Sequence, residues 1–156
     1  MNLRKEGWGI YKDMRQFVRG KFVATPGDII ALPNAYEEVI FKFDEYNVDA
    51  AMTLSPDLEA TDTHGIGRME NHVVVDLKWP PPRDIKPGYM RDMTIWASDK
   101  RFFDIIEQYP NPLRSIGYVF MDAIRDNRPI AGNRYDLPWV HLGCPHDLGK
   151  SLSKKT

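Results

Sequence analysis

The stretch Ile130-Ala-Gly-Asn-Arg-Tyr-Asp-Leu-Pro-Trp-Val-His-Leu-Gly-Cys-Pro-His146 decides how the rest of the chain is read. It shows neither the period of 2 expected of a half-buried strand nor the 3.6 of a helix. Its apolar residues Tyr135, Leu137, Trp139 and Leu142 stand apart as single anchors. On that reading residues 130–156 form an irregular, extended C-terminal arm, and residues 1–129 form a single α+β domain. An aperiodic arm has too little patterned apolar surface to order itself, so it is expected to be held by a neighbouring molecule.

Upstream of the arm the patterns are clearer. His72-Val-Val-Val-Asp-Leu-Lys-Trp79 alternates and reads as a strand with Val73, Val75, Leu77 and Trp79 on one face. Pro80-Pro-Pro82 must end it, because proline cannot donate to a sheet ladder. Val39, Phe41 and Phe43 alternate with polar neighbours and give a strand over 39–44. Strands are also expected at 29–32 and 92–97, with a weaker one over Ala50–Leu54. Ser55–Arg68 is polar and glycine-bearing and reads as a long exposed loop. Apolar stripes predict an N-terminal helix over 5–19 and C-terminal helices over 99–109 and 112–127, the last opened by Asn111-Pro112. The expected fold is therefore α+β, with a small mixed or antiparallel sheet of about four strands.

Composition sets outer limits. The chain has 156 residues, 42% hydrophobic, and a formal net charge of −1. That is enough apolar material for one core and too little net charge for non-specific nucleic-acid binding. No apolar run approaches the ~20 residues of a membrane span, and the N-terminus is no secretory signal. One cysteine excludes an internal disulfide, which fits a cytoplasmic protein or an intracellularly assembled particle. Charge is segregated: residues 1–27 carry +4, residues 28–62 carry −8, and residues 111–156 carry +3. Basic ends and an acidic middle suit either a fold-back within the chain or steered contact with other subunits, and no nucleic acid.

Three short motifs could carry chemistry. His141-Leu-Gly-Cys-Pro-His146 gathers His141, Cys144 and His146, which with His64 or His72 could hold zinc or iron, Asp147 orienting an imidazole. The spacing matches no standard structural zinc pattern, so no cofactor is the simpler expectation. Asp62-Thr-His-Gly-Ile-Gly-Arg68 resembles the D-[ST]-H-G-x-x-R signature of the non-Rossmann malate/L-lactate dehydrogenases. That resemblance implies His64 as acid/base and Arg68 as a carboxylate ligand, although the family's second histidine motif and a nicotinamide segment are missing. Pro26-Gly-Asp-Ile-Ile-Ala-Leu-Pro33 resembles the second cupin motif, P-G-D-x4-P, but Glu38 stands where that motif has its metal-binding histidine. No P-loop, GxGxxG, CxxC or nucleophile elbow occurs.

With no convincing site, the sequence leans towards a non-enzymatic structural or interaction subunit of a larger assembly, such as a phage-type virion neck or tail component. Its partners would be other protein subunits, of the same or a different chain. Lys12, Arg15 and Arg19 on the basic helix, with Trp8, Tyr135 and Trp139 as aromatic anchors, are the expected partner contacts. The alternatives are a small metal-dependent enzyme using the His141 cluster and a small-molecule-binding α+β domain.

Overall fold

In a computed structural model of the chain, residues 13–58, 64–109, 116–143 and 147 are described. In chain order the elements are β1 (Phe22–Ala24), β2 (Ile29–Ile30), α1 (Pro33–Tyr46), β3 (Ala50–Ser55), β4 (Ile66–Glu70) and β5 (Val73–Lys78). They continue with β6 (Tyr89–Ser98), α2 (Arg101–Gln108), α3 (Ile116–Arg125), β7 (Ile130–Arg134) and β8 (Val140–His141). The main sheet has the order β1-β6-β3-β7-β5-β4, and β4 also pairs with β6. Five of its strands thereby close into a barrel, with β1 attached outside it along β6.

Strand β6 makes this closure work. Its far end, from Trp96 to Ser98, pairs with β1 and β3, while Tyr89–Arg91 pair with β4. Between these ends Met52 and Leu54 of β3 face Trp96 and Asp92, so β6 carries two extra residues. Thr94 sits in this bulge at φ 57°, and the Asp92 carboxylate accepts its backbone N–H at 2.7 Å. A bulge sharpens strand twist and bend, which lets one strand serve two directions of sheet.

Helices cover both faces. On one side Phe102, Phe103, Ile105 and Ile106 of α2 and Val119, Phe120, Ala123 and Ile124 of α3 pack with Met52, Leu54, Trp96 and Ile130. On the other, Ala35, Val39 and Phe43 of α1 pack with Ala51, Ile95, Ala97 and Ala131. The architecture is a mixed sheet between helical layers, and the expected four-strand α+β domain is corrected to it.

Four local readings change with it. The strand expected over 39–44 lies inside α1: Pro33 occupies its first turn, Asn47 caps its end at φ 46°, and Phe41 points to solvent at 61% exposure. Residues 35, 39 and 43 share a face at helical spacing, and that burial outweighs the two-residue alternation. The strand expected over 29–32 shortens to β2. The expected exposed loop over 55–68 ends in strand β4, with His64 only 2% exposed. In β5 the inward residues are Val74 and Leu77, because Arg68 faces Asp76 while Met69 faces Val74, leaving Val75 unpaired. That bulge reverses the face of every residue on one side of it.

The expected extended C-terminal arm is the largest correction. Ile130–Arg134 is strand β7, running parallel to β3 in the middle of the sheet and buried except at Arg134. A doubly covered central strand needs no alternation, since both of its faces are apolar or small. Gly132 is small for a reason: a Cβ there would stand 2.6 Å from the Met69 sulfur. Tyr135 and Trp139 are buried, and β8 pairs with β2. Helices are found at Arg101–Gln108 and Ile116–Arg125, within the expected spans; residues 110–115 lie outside the described residues. So does most of the 5–19 helix, of which residues 13–15 are helical.

Candidate active site

Strands β1 and β3 are both antiparallel to β6, and β7 is parallel to β3, so β1, β3 and β7 run the same way. Their carboxyl ends share one edge of the sheet. Asp28 follows β1, Ser55 ends β3, and Tyr135, Trp139 and His141 follow β7. The start of β6, with Arg91 and Asp92, arrives at the same edge from the opposite direction. In α/β proteins, with open sheets or closed barrels, ligands bind at the carboxyl ends of the parallel strands.

The polar groups here form two connected sets. In the first, His64 Nδ1 lies 2.9 Å from the Asp92 carbonyl oxygen, and His64 Nε2 lies 2.8 Å from His141 Nδ1. His141 Nε2 is 3.0 Å from Asp28 Oδ2. In the second set, the fully buried Arg91 guanidinium donates two hydrogen bonds to Asp147, at 3.0 and 3.3 Å. It also stacks 4.4 Å from the Trp139 ring. Asp147 Oδ2 accepts the His141 backbone N–H at 3.1 Å, which ties the sets together. The planar fork of arginine suits this role, since one face stacks while the edge binds a carboxylate.

The backbone holds these groups in place. The Leu142 N–H donates to the Asp28 carbonyl and the Tyr135 N–H to that of Leu54. The Tyr135 hydroxyl accepts the Leu32 N–H at 3.3 Å, fixing the ribbon of β2 and β8 against β7. A Cβ on residue 143 would stand 3.0 Å from His141 Nε2 and 3.3 Å from Asp28 Oδ2, so Gly143 leaves room at the reactive edge.

Burial shapes the charges. It lowers the His64 pKa to about 4, aided by the neighbouring Arg91 and His141 charges, so this imidazole is neutral at pH 7. Burial also raises Asp92 to about 6, against the opposing pull of the Thr94 N–H and the Trp96 indole N–H. Among the buried side-chain atoms without a hydrogen-bond partner are Asp28 Oδ1, Thr53 Oγ1, Asn133 Nδ2 and Trp139 Nε1. Thr53 and Asn133 are register neighbours across β3 and β7, on the face of Ala51 and Ala131. Unsatisfied buried groups are uncommon, and several at one sheet edge mark a place built for hydrogen bonding.

The structure joins some of the sequence candidates and separates others. It brings His64 and His141 together but leaves His72 elsewhere, stacked on Tyr46. Cys144 and His146 lie outside the described residues. Among the described residues no group of three or more His, Cys, Asp or Glu is placed to hold a metal, and both His141 ring nitrogens already have protein partners. Asp147 meets the His141 backbone, not its imidazole. Arg68 pairs with Glu70 at the surface of β4, away from the His64 contacts that the dehydrogenase resemblance implies. The cupin-like Pro26–Pro33 turn leads into a short strand and then α1, where Glu38 pairs with Asn34, not into a jelly roll.

Of the expected partner contacts, Trp8 and Lys12 lie outside the described residues. Arg15 pairs with Asp104 and Glu107 of this chain, Arg19 is exposed, and Tyr135 and Trp139 are core residues. Arg91, Asp92 and Asp28 were not legible as site residues, because nothing in the sequence marks strands whose ends converge. Among the described residues no helix is long and apolar enough to cross a membrane.

No family model and no curated protein sequence matches the chain. Solved structures do. The inositol-1-phosphate CTP transferase of T. maritima superposes with TM-score 0.77 at 15% identity, over 99% of this chain and 62% of that one. A Bacillus anthracis protein described as a glucose-1-phosphate thymidylyltransferase, in complex with a sucrose, gives 0.74 at 16% identity, over 95% of this chain and 61% of its own. Apo UDP-glucose pyrophosphorylase gives 0.69 at 13%, over 94% and 59%. These likenesses, with β7 in the middle of its own sheet, overturn the reading as a virion or assembly subunit. The chain shares the fold of these sugar- and polyol-phosphate enzymes over about three-fifths of their length.

Proposed function

We propose that this chain handles the phosphorylated sugar or polyol in an enzyme of nucleotidyltransferase type. What carries the reading is the polar cluster of Asp28, His64, His141, Arg91 and Asp147 at the carboxyl edge of β1, β3 and β7, on the fold shared with those enzymes. In the proposed reaction an oxygen of the acceptor's phosphate attacks the α-phosphorus of a nucleoside triphosphate, and the bond to pyrophosphate breaks. Nothing covalent is asked of the protein. Its work is positioning, and stabilising charge on phosphate oxygens.

His141 is the group suited to meet the acceptor phosphate: its Nε2 is at the rim of the site, beside the half-exposed Asp28. Arg91, neutralised by Asp147 and stacked on Trp139, is a rigid brace for the His141 backbone. The buried unpaired atoms of Thr53 and Asn133, near the carboxyl ends of β3 and β7, and of Trp139 beyond them supply further hydrogen-bonding capacity. The sequence has no glycine-rich phosphate loop, so the reading concerns the acceptor side, with the nucleotide side supplied by further polypeptide of the same or another protein. An intracellular setting, where nucleoside triphosphates are abundant, belongs to the same reading.

Calorimetric titration with glucose 1-phosphate and with inositol 1-phosphate tests it. One of them should bind, and the His141→Ala variant should weaken binding at least about tenfold, the loss of one charge-assisted hydrogen bond. Failure of both ligands to bind, or binding indifferent to the loss of His141, would overturn the proposal.

A further inference from the structure

The contacts from Asp92 through His64 and His141 to Asp28 fix where each proton must be. A carbonyl oxygen only accepts, so His64 Nδ1 carries a hydrogen and donates to Asp92. A neutral imidazole has one N–H, which leaves His64 Nε2 as a lone pair. His141 Nδ1, 2.8 Å away, must then be the donor. The remaining atom, His141 Nε2, faces a carboxylate oxygen at 3.0 Å, and that contact is attractive only with a proton between them. The orientation of both rings is thus settled by one backbone carbonyl three contacts away from Asp28.

We propose that His64 is a positioning residue that locks His141 with a permanent hydrogen on Nδ1, so that His141 Nε2, the nitrogen facing Asp28, is the one offered to the acceptor phosphate. The inference rests on the sugar-phosphate reading of this site and deepens it. With Nε2 protonated, the imidazolium donates to Asp28 Oδ2; an incoming phosphate monoester oxygen takes the place of that carboxylate as the acceptor, forming a charge-assisted hydrogen bond. A histidine free to choose its tautomer would spend part of its time with Nδ1 unprotonated and the ring turned away. The lock removes that loss before the ligand arrives.

The charged groups around the pair leave this assignment intact. Arg91 and Asp147 neutralise each other through two hydrogen bonds, and the Asp92 carboxylate is turned to the Thr94 N–H and the Trp96 indole. Trp139 stands edge-on to His64 at 5.6 Å and offers no proton to it. Among the described residues Asp28 is the one carboxylate seen to meet an imidazole nitrogen of the pair. Burial that keeps His64 neutral supports the lock, because a charged His64 would have no lone pair to offer.

The test is long-range proton–nitrogen NMR of the histidine rings in the full chain and in two variants. In the parent, His64 and His141 should both carry hydrogen on Nδ1. His64→Gln keeps a donor for Asp92 and an acceptor for His141, and should preserve the His141 pattern. His64→Phe removes the acceptor, and His141 should move to the Nε2–H form. In glucose 1-phosphate titrations at pH 6, affinity should fall about tenfold in the phenylalanine variant and stay within about threefold in the glutamine variant.

A parent spectrum in which His141 carries no hydrogen on Nδ1 overturns the proposal, as does a folded phenylalanine variant whose His141 is unchanged. Should the phenylalanine variant not fold, a glutamine variant that loses the pattern overturns it equally, and one that keeps it upholds it. The ring spectra need no ligand. Absence of glucose 1-phosphate binding beside an intact tautomer pattern would therefore refute the sugar-phosphate reading while upholding the lock.

Discussion

Replacing Asp92 by asparagine should make the protein more stable at pH 8 and more sensitive to acid. Asp92 is 3% exposed and burial raises its pKa from 3.8 to about 6. A raised acid binds its proton more tightly in the folded state, so stability falls as pH rises through that window. Above pH 6 the cost is on the order of 3 kcal/mol, at 1.36 kcal/mol for each tenfold change in proton affinity. Asparagine is neutral at every pH, and its Oδ1 can still accept from the Thr94 N–H and the Trp96 indole, at 2.7 and 3.3 Å in the parent. Its buried amide N–H2 gives back roughly 1–2 kcal/mol if left without a partner. The net gain at pH 8 is about 1–2 kcal/mol, or roughly 2–8 °C in Tm for a chain of this size.

His64 supplies the second half of the argument. Its pKa is lowered to about 4, so the unfolded chain binds the proton more readily and stability is lost as pH falls from 6.5 towards 4. In the parent the two groups have opposite slopes across pH 4–6, and stability there should be nearly flat. Asp92→Asn unmasks the His64 slope and should lose about 2–3 kcal/mol between pH 6.5 and 4. Urea unfolding at pH 4.5, 5.5, 6.5 and 8 measures both effects. A variant less stable than the parent at pH 8, or one with an unchanged pH slope, would refute the electrostatic account of this bulge.

Other substitutions test packing and backbone. Thr94→Gly should be neutral or stabilising by up to about 1 kcal/mol, since a β-branched residue at φ 57° is strained; a clear loss in denaturant midpoint would show that the Thr94 hydroxyl bond to the Met93 carbonyl matters more. Arg91→Leu leaves Asp147 buried without its partner and should cost about 3–5 kcal/mol by thermal or urea unfolding; adding Asp147→Leu should recover much of that, and a double variant no better than the single would refute it. Phe43→Ala, at the centre of the α1 face, should cost about 3–5 kcal/mol, whereas the exposed Phe41→Ala should cost under about 1 kcal/mol; equal losses would contradict α1 as a helix.

The apolar stripes of α2 and α3 were legible, because their burial depends on residues three and four positions apart; β5 was legible as a strand, but its bulge reversed the face expected of Val73 and Val75. Their order in space was not. Val39, Phe41 and Phe43 fit a strand as well as a helix when only three positions are compared, and the packing of Ala35, Val39 and Phe43 against Ala51, Ala97 and Ala131 selects the helix. The candidate site was half legible. His64 and His141 drew notice as histidines in suggestive motifs, but 77 residues separate them, and their 2.8 Å contact exists only once β7 inserts beside β3. Arg91 and Asp92 carry no local mark at all, and Asp28 stood out only as part of a turn motif.

Sequence alone determined that the chain has the apolar content for a core, has no apolar run of membrane-spanning length, and places glycine and proline where turns and helix starts occur. These are local properties, set by hydropathy and backbone freedom over a few residues. Tertiary structure alone decided that the aperiodic Ile130–Arg134 is a central strand and that the polar cluster assembles at the sheet's carboxyl edge. A strand buried on both faces has no period to read. Its stability comes from neighbours far away in the chain, and so does the chemistry it brings together.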